Sequence, residues 1–211
     1  MAARKRILAV LLAGGQNRRY GSHKALAKIG GVPMIDRGLS TLDQVCPEAV
    51  IVANDPEPYE YTGRPIRPDT RPGTGALGGI LSALEWAADD GCEGALVLAC
   101  DMPFVPPALL SELVRRAERD GVSIAESDGP RGLEPLCAVY GVGCLPEIRR
   151  ALDRGERAVV SFFSDVPVRL LDPSAVKRFG RPEKMFFNVN RPDDRLLAEE
   201  LARASDGDSR S

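Results

Sequence analysis

Three stretches of the chain, 7–12, 49–53 and 95–99, are apolar at every position. A strand with one wet face alternates apolar and polar residues, so runs this uniform predict strands buried on both faces, as in a parallel sheet covered by helices. Each run gives way to a polar or glycine-rich loop. Apolar residues recur at helical spacing over 34–45, 77–88 and 107–119. In the last of these, Leu109, Leu110, Leu113, Val114 and Ala117 share a face behind a proline-rich start. Strands alternating with helices predict βαβ units with right-handed crossovers.

Beyond residue 120 the pattern is less regular. It predicts strands over 122–125 and 136–140, helices over 145–153 and 158–163, strands over 166–171 and 185–189, and a last helix starting after Pro192. The proline-rich stretches 55–58, 65–72 and 103–107 read as loops inside one domain. The small and polar residues 204–211 read as a disordered tail, which leaves a single α/β domain over 1–203. In an open α/β sheet, ligands bind beyond the carboxyl ends of the strands where strand order reverses. The loops after Leu12, Val52 and Ala99 are therefore where chemistry is expected.

Composition narrows the chemistry. With 211 residues, 44% of them hydrophobic, the chain can bury one core without staples. Its 28 Lys+Arg against 30 Asp+Glu give a net charge of −2, so no global basic field exists to hold nucleic acid or an anionic membrane. The 5% aromatic content also argues against a nucleic-acid binder. Cys46, Cys92, Cys100, Cys137 and Cys144 contain no Cys-x-x-Cys pair, which argues against a disulfide framework or thiolate zinc site and for a reducing cytoplasm. The basic N-terminus precedes an apolar run too short to span a membrane and without a cleavage site, so no targeting segment is expected. His23 is the only histidine, leaving carboxylates, amines and backbone amides as the available catalytic groups.

Those groups concentrate after the first strand, in Leu12-Ala13-Gly14-Gly15-Gln16-Asn17-Arg18-Arg19-Tyr20-Gly21-Ser22-His23-Lys24. Paired glycines let backbone amides approach phosphate oxygens closely, and Arg18, Arg19 and Lys24 add positive charge beside them. A strand-to-helix turn with solvated basic residues is the plainer alternative. After the third apolar run comes Asp101, in Cys100-Asp101-Met102-Pro103. A carboxylate leaving a buried strand is costly unless paired or bound to a cation, and Mg2+ needs only one or two protein oxygens when phosphates supply the rest. Asp101 is accordingly the candidate metal ligand, with capping of the following turn as the alternative.

The run Leu-Ala-Gly-Gly-x-x-x-Arg-x-Gly-x-x-Lys resembles the signature of the molybdenum cofactor guanylyltransferase (MobA-like) nucleotidyltransferases. Tyr20 stands where that family usually has Met and His23 where it commonly has Asp; Gly14, Gly15, Arg19, Gly21 and Lys24 stay in register. Asp101-x-Pro103 matches as well. Asp69-Thr70 followed by 73–80 resembles the family's Asp and its glycine-rich helix entrance, and 132–140 resembles a segment on the acceptor side. Asn188-Val189-Asn190-Arg191-Pro192-Asp193-Asp194 resembles the family's Asn-[Ile/Val]-Asn-Thr-Pro-Glu-Asp.

The resemblance implies a Rossmann-like three-layer αβα sandwich with a mostly parallel twisted sheet, of the nucleotide-diphospho-sugar transferase-like kind. It implies Mg2+-dependent transfer of GMP from GTP to the terminal phosphate of molybdopterin, releasing pyrophosphate. Leu12, Ala13, Gly14, Gly15, Lys24, Asn54, Asp69 and Asp101 would bind the nucleotide, with Lys24, Arg19 and Asp101 as the catalytic set and Asn188 and Asn190 toward the acceptor. On an extended segment those two asparagines share one side, although either could instead cap the last helix. Other molybdenum cofactor biosynthesis proteins and molybdoenzyme apoproteins are the implied protein partners. The alternatives are a molybdopterin cytidylyltransferase, another small-phosphate nucleotidyltransferase of the same fold, or a non-catalytic nucleotide-binding regulatory module. The second glycine of Leu-Ala-Gly-Gly favours the guanylyl branch, because many cytidylyl relatives have Leu-Ala-Ala-Gly.

Overall fold

The computed structural model describes residues 5–14, 24–127 and 132–208. Among them the strands are β1 (Ile7–Leu12), β2 (Lys28–Ile29), β3 (Val32–Pro33), β4 (Val50–Val52), β5 (Ile66–Arg67), β6 (Gly94–Ala99), β7 (Val122–Glu126), β8 (Leu133–Gly141) and β9 (Val168–Leu171). The α-helices are α1 (Met34–Asp43), α2 (Gly75–Asp89), α3 (Pro107–Arg116), α4 (Leu145–Asp153), α5 (Pro173–Val176), α6 (Pro182–Met185) and α7 (Pro192–Asp208).

One seven-stranded sheet runs in the order β5-β4-β1-β6-β8-β7-β9. It is parallel except for β8, which pairs antiparallel with both β6 and β7. The cause is local: β7 and β8 are joined only through 127–132, too short for the crossover that parallel neighbours need. From β1 the chain moves outward to β4 and β5 and then returns to β6 on the other side. Strand order therefore reverses at β1, and the crevice of the fold lies beyond its carboxyl end.

The uniform apolar runs follow from burial on both faces. Along β1, Ala9 and Leu11 pack toward α1 and α3 with Leu39, Leu98 and Leu110, while Val10 and Leu12 pack toward α2 and α4 with Leu77, Ile80 and Leu84. Alternate residues of a strand point to opposite sides, so both sets must be apolar. A third, smaller core joins Ile29, Met34, Val189 and Ala198. This cluster ties the β2–β3 hairpin and α7 to the main body.

Several features differ from the sequence pattern. The expected strand over 185–189 is absent: Pro182 starts α6, which ends at Met185, and the residues after it are irregular. Proline suits a helix's first turn, and the segment finds no strand partner; its ladder is reduced to Val189 N–H donating to Asp101 O at 2.9 Å. The expected helix over 158–163 is a 3-10 helix, Val159–Asp165, with Val159 and Phe162 buried three residues apart, as a three-residue turn requires. The β2–β3 hairpin turns on Gly30 and Gly31, with φ of 57° and 79°, the left-handed pair that a tight hairpin favours. The last helix continues to Asp208, past residue 204 where the tail was expected to begin. Among the described residues, no helix is long and apolar enough to cross a membrane.

Candidate active site

Register decides where the loops open. Leu12 lies level with Val52 on one side and with Ala99 on the other. Backbone bonds carry the alignment one residue further, from Ala13 N to Val52 O at 3.0 Å and from Cys100 N to Leu12 O at 3.1 Å. The three loops thus leave the sheet along one line and frame a cleft of about 650 Å3, lined by Leu12, Ala13, Gly14, Lys24, Asn54, Asp69, Asp101, Leu136 and Asn190 among others. A larger cavity of about 810 Å3 lies at the opposite, amino end of β1, between Ile7, Val45, Cys46 and Arg115. The smaller cleft is the candidate because it sits at the switch point and gathers convergent polar groups.

On one wall Lys24, at the start of a 3-10 turn spanning Lys24–Leu26, places its Nζ 2.8 Å from Asp101 Oδ2 and 2.8 Å from Asn190 Oδ1. The Lys24 and Asp101 side chains are only 18% and 20% exposed, so the pair is sheltered without being sealed off. Asp101 Oδ1 is buried and has no hydrogen-bond partner among the described residues. The carboxylate thus meets Lys24 through one oxygen and keeps the other uncommitted; among the described residues no backbone N–H caps onto it. An orphaned buried carboxylate oxygen is costly unless a cation completes it, and a hard oxygen donor is what Mg2+ prefers. The residues present fit such an ion.

On the facing wall Asn54 and Asp69 hold each other. Asn54 Nδ2 donates to Asp69 Oδ2 at 3.2 Å, and Asp69 N donates to Asn54 Oδ1 at 2.8 Å. Asp69 Oδ1 is buried without a hydrogen-bond partner among the described residues. Burial pushes the Asp69 carboxyl above the usual aspartate range, opposed in part by the Asn54 hydrogen bond. The Asp69 loop is anchored by Ser82 of α2, whose Oγ accepts from Thr70 N at 2.9 Å and donates to Gly78 O at 2.9 Å. An added Cβ at Gly79 would stand 3.4 Å from Leu12 Cδ2 and 3.7 Å from Asp69 Oδ1, which fits close packing of α2 under the cleft.

The floor is backbone at Leu12, Ala13 and Gly14. Among the described residues a Cβ built on Gly14 would meet only Val52 O, at 3.7 Å, an ordinary contact. None of the described residues demands glycine there, and a glycine at that place leaves room for a ligand to approach the backbone closely. Gly15 and Arg19, with Arg18, Tyr20, Gly21 and His23, lie outside the described residues.

The two asparagines separate. Asn190 reaches the cleft, whereas Asn188 is half-buried and donates from Nδ2 to Phe186 O at 2.9 Å. Neither side chain caps α7. That task falls to Asp194, whose Oδ2 accepts from Asn190 N at 2.7 Å and Arg191 N at 2.8 Å. An acid three residues into a helix is a capping-box signal, so the pattern Arg191-Pro192-Asp193-Asp194 carries this role in plain view. Cys100 also lines the cleft. Burial, and then the charge of Asp101, push its thiol up to about 12, so it stays protonated at neutral pH and is no nucleophile.

The sequence profile of the MobA-like NTP transferase domain matches residues 9–168. The chain belongs to this family. It is 34% identical over 202 residues to the molybdenum cofactor guanylyltransferase of Rhodobacter capsulatus, covering 94% of this chain and 97% of that one. It is 32% identical over 199 residues to the molybdenum cofactor guanylyltransferase of Desulfosudis oleivorans, covering 94% and 96%. Among solved structures, the molybdopterin-guanine dinucleotide biosynthesis protein A of Archaeoglobus fulgidus superposes with a TM-score of 0.76 at 27% identity, covering 94% of this chain and all of that one. The 2-C-methyl-D-erythritol 4-phosphate cytidylyltransferase of Thermus thermophilus shares the fold, with a TM-score of 0.67 at 18% identity over 93% of this chain and 99% of that one. MobA-like proteins are nucleotidyltransferases and generally use a divalent metal. The family match ends before Asn190, although the alignments with these relatives span over nine-tenths of the chain.

Proposed function

We propose that the protein is a cytoplasmic molybdenum cofactor guanylyltransferase. It transfers GMP from GTP to the terminal phosphate of molybdopterin and releases pyrophosphate, with Mg2+ as the metal. The observation that carries the reading is the meeting of Lys24, Asp101 and Asn190 on one wall of the switch-point cleft, with Asp101 Oδ1 buried and uncommitted.

A phosphate monoester has a second pKa of about 6, so at neutral pH the acceptor is already a nucleophilic anion and needs no general base. An acceptor phosphate oxygen forms the new bond to the α-phosphorus of GTP, the bond to the bridging oxygen of the β-phosphate breaks, and its electron pair leaves with pyrophosphate. The obstacle is repulsion between anions and their misalignment. Lys24 supplies positive charge where the α-phosphate and leaving group would lie, and the backbone at Leu12, Ala13 and Gly14 orients the nucleotide. Arg19 joins this set by its place in the family motif. Asp101 would hold Mg2+ through the oxygen Lys24 leaves uncommitted, and the ion when bound supplies charge neutralisation on the phosphates. Asp69 and Asn54 face the base: guanine presents adjacent N–H donors at N1 and N2, which a carboxylate can accept and which cytosine lacks. Asn190 would meet the acceptor, and Asn188 would support that segment from Phe186 O.

The test is to incubate the purified protein with Mg2+, molybdopterin and either GTP or CTP, then identify the product by mass and follow pyrophosphate. A guanine dinucleotide product is expected. A cytosine product would move the protein to the cytidylyl branch. Nucleotide binding without pyrophosphate release would make it a regulatory module. Cofactor biosynthesis proteins and molybdoenzyme apoproteins are the partners this activity calls for, since its product must be handed on.

A further inference from the structure

Lys24 and Asn190 meet across 166 residues of sequence, and Asn190 lies in no helix or strand. Its position must therefore come from its neighbours. On one side Val189 N–H donates to Asp101 O, and the Val189 side chain is fully buried beside Ile29, Met34 and Ala198. On the other, Asp194 Oδ2 accepts from both Asn190 N and Arg191 N. An ordinary capping box needs only the bond to the residue at the helix boundary. The second, shorter bond goes one residue further out, to the residue whose side chain holds Lys24. Further along α7, Glu199 Oε2 accepts from Gly30 N at 3.0 Å, fastening the helix to the hairpin that follows Lys24.

We propose that Asp194 is a positioning residue for nucleotidyl transfer: by holding the Asn190 backbone it sets the Asn190 side-chain Oδ1 that keeps the Lys24 ammonium on Asp101. Asp194 touches no reacting group itself. The inference rests on the reading of Lys24 as the cation that meets the phosphates. A residue that served α7 alone would change stability and leave turnover untouched at temperatures where the protein is folded.

The experiment compares wild type, Asp194→Ala, Asp194→Asn, Asn190→Ala and the Asp194→Ala/Asn190→Ala double variant, well below their melting temperatures. Two readouts are taken: GTP-dependent pyrophosphate release, and NMR of isotope-labelled lysine with the Lys24 signal assigned through Lys24→Arg. Asp194→Ala should lower kcat about tenfold, the weight of one lost hydrogen bond in the transition state, with a smaller change in KM. Asp194→Asn keeps an acceptor oxygen and should recover most of that loss. In the Asn190→Ala background, Asp194→Ala should cost nothing further. The Lys24 signal should shift in Asp194→Ala toward its position in Asn190→Ala. An unshifted Lys24 signal, wild-type kcat in Asp194→Ala, or equal losses in both backgrounds would overturn the proposal. A wild type that releases no pyrophosphate would count against the functional reading, while the NMR comparison would still decide the positioning role.

Discussion

Lys24 Nζ and Asp101 Oδ2 stand 2.8 Å apart, joining a lysine that follows the first strand to an aspartate that follows the fourth strand of the parallel run. Each is about four-fifths shielded from water. The other carboxylate oxygen is buried and unpaired among the described residues, so the pair looks toward the cleft half-satisfied. Removing either member has a different expected consequence.

Asp101→Asn keeps the side chain's size and removes its charge. Turnover should fall by at least ~100-fold, the scale on which loss of one preorganised charge-stabilising group is felt. The Mg2+ dependence of any residual activity should move to higher concentration. Pyrophosphate release across a Mg2+ titration checks this, with circular dichroism to establish the fold. Wild-type Mg2+-dependent turnover in the variant would remove Asp101 from the metal assignment.

Lys24→Ala should act first on the nucleotide. Loss of one charge-assisted hydrogen bond to phosphate is expected to weaken GTP binding by ~10- to 100-fold. Titration calorimetry with GTP in the presence of Mg2+ gives the affinity. Unchanged affinity would place the triphosphate elsewhere.

On the proposed reading Asp69 sets the base preference, and it carries a pH signature. Its carboxyl is raised above the ordinary range by burial, so it takes up a proton at a higher pH than an exposed aspartate. Protonation removes the acceptor for guanine's donors, so GTP affinity should fall relative to CTP affinity as the solution is acidified. Comparing the two triphosphates cancels titration of the phosphates themselves. In Asp69→Asn the preference for GTP should be smaller and flat with pH. Stability has its own sign: a carboxyl with a raised folded-state pKa contributes stability fully present below the unfolded value and lost as pH rises through the folded one. Asp69→Asn should remove that contribution from the acid side of the urea midpoint profile.

At the alkaline end Cys100 and Tyr59 act together. Burial pushes both up to about 12; the Cys100 thiolate and then Asp55 add to the rise at Tyr59, and Asp101 adds to the rise at Cys100. Unfolded, they ionise near ~8.5 and ~10. Their contribution to stability is fully present below those values and lost as pH rises toward about 12. The urea midpoint should therefore decline from pH ~9 upward, with a shallower decline above pH ~10 in Tyr59→Phe. An identical slope in that variant would show that Tyr59 is not among the groups responsible.

The amino-acid sequence by itself determined the sheet's centre and the positions of its loops. Runs 7–12, 49–53 and 95–99 had to be apolar throughout because helices cover both of their faces, and a pattern imposed by burial on two sides can be read without knowing what does the burying. That Lys24, Asn54, Asp69 and Asp101 line the cleft was legible for a related reason: each follows a strand end or lies in a recognisable motif, so local context marks it. The two-residue strands of the β2–β3 hairpin are too short to show a period. Residues 185–189 carry the apolar composition of a strand but have no strand edge to pair with, and composition does not reveal whether a partner exists. The direction of β8 and its place between β6 and β7 came from the tertiary arrangement as well.

The site's final selection was also tertiary. Asn188 and Asn190 are equivalent in the sequence, two residues apart, and only the docking of Val189 onto Asp101 sends Asn190 to Lys24 while Asn188 turns back to Phe186. A contact across 166 residues leaves no periodic trace in either segment, because its energy depends on where two distant loops are brought together and not on the pattern of either one.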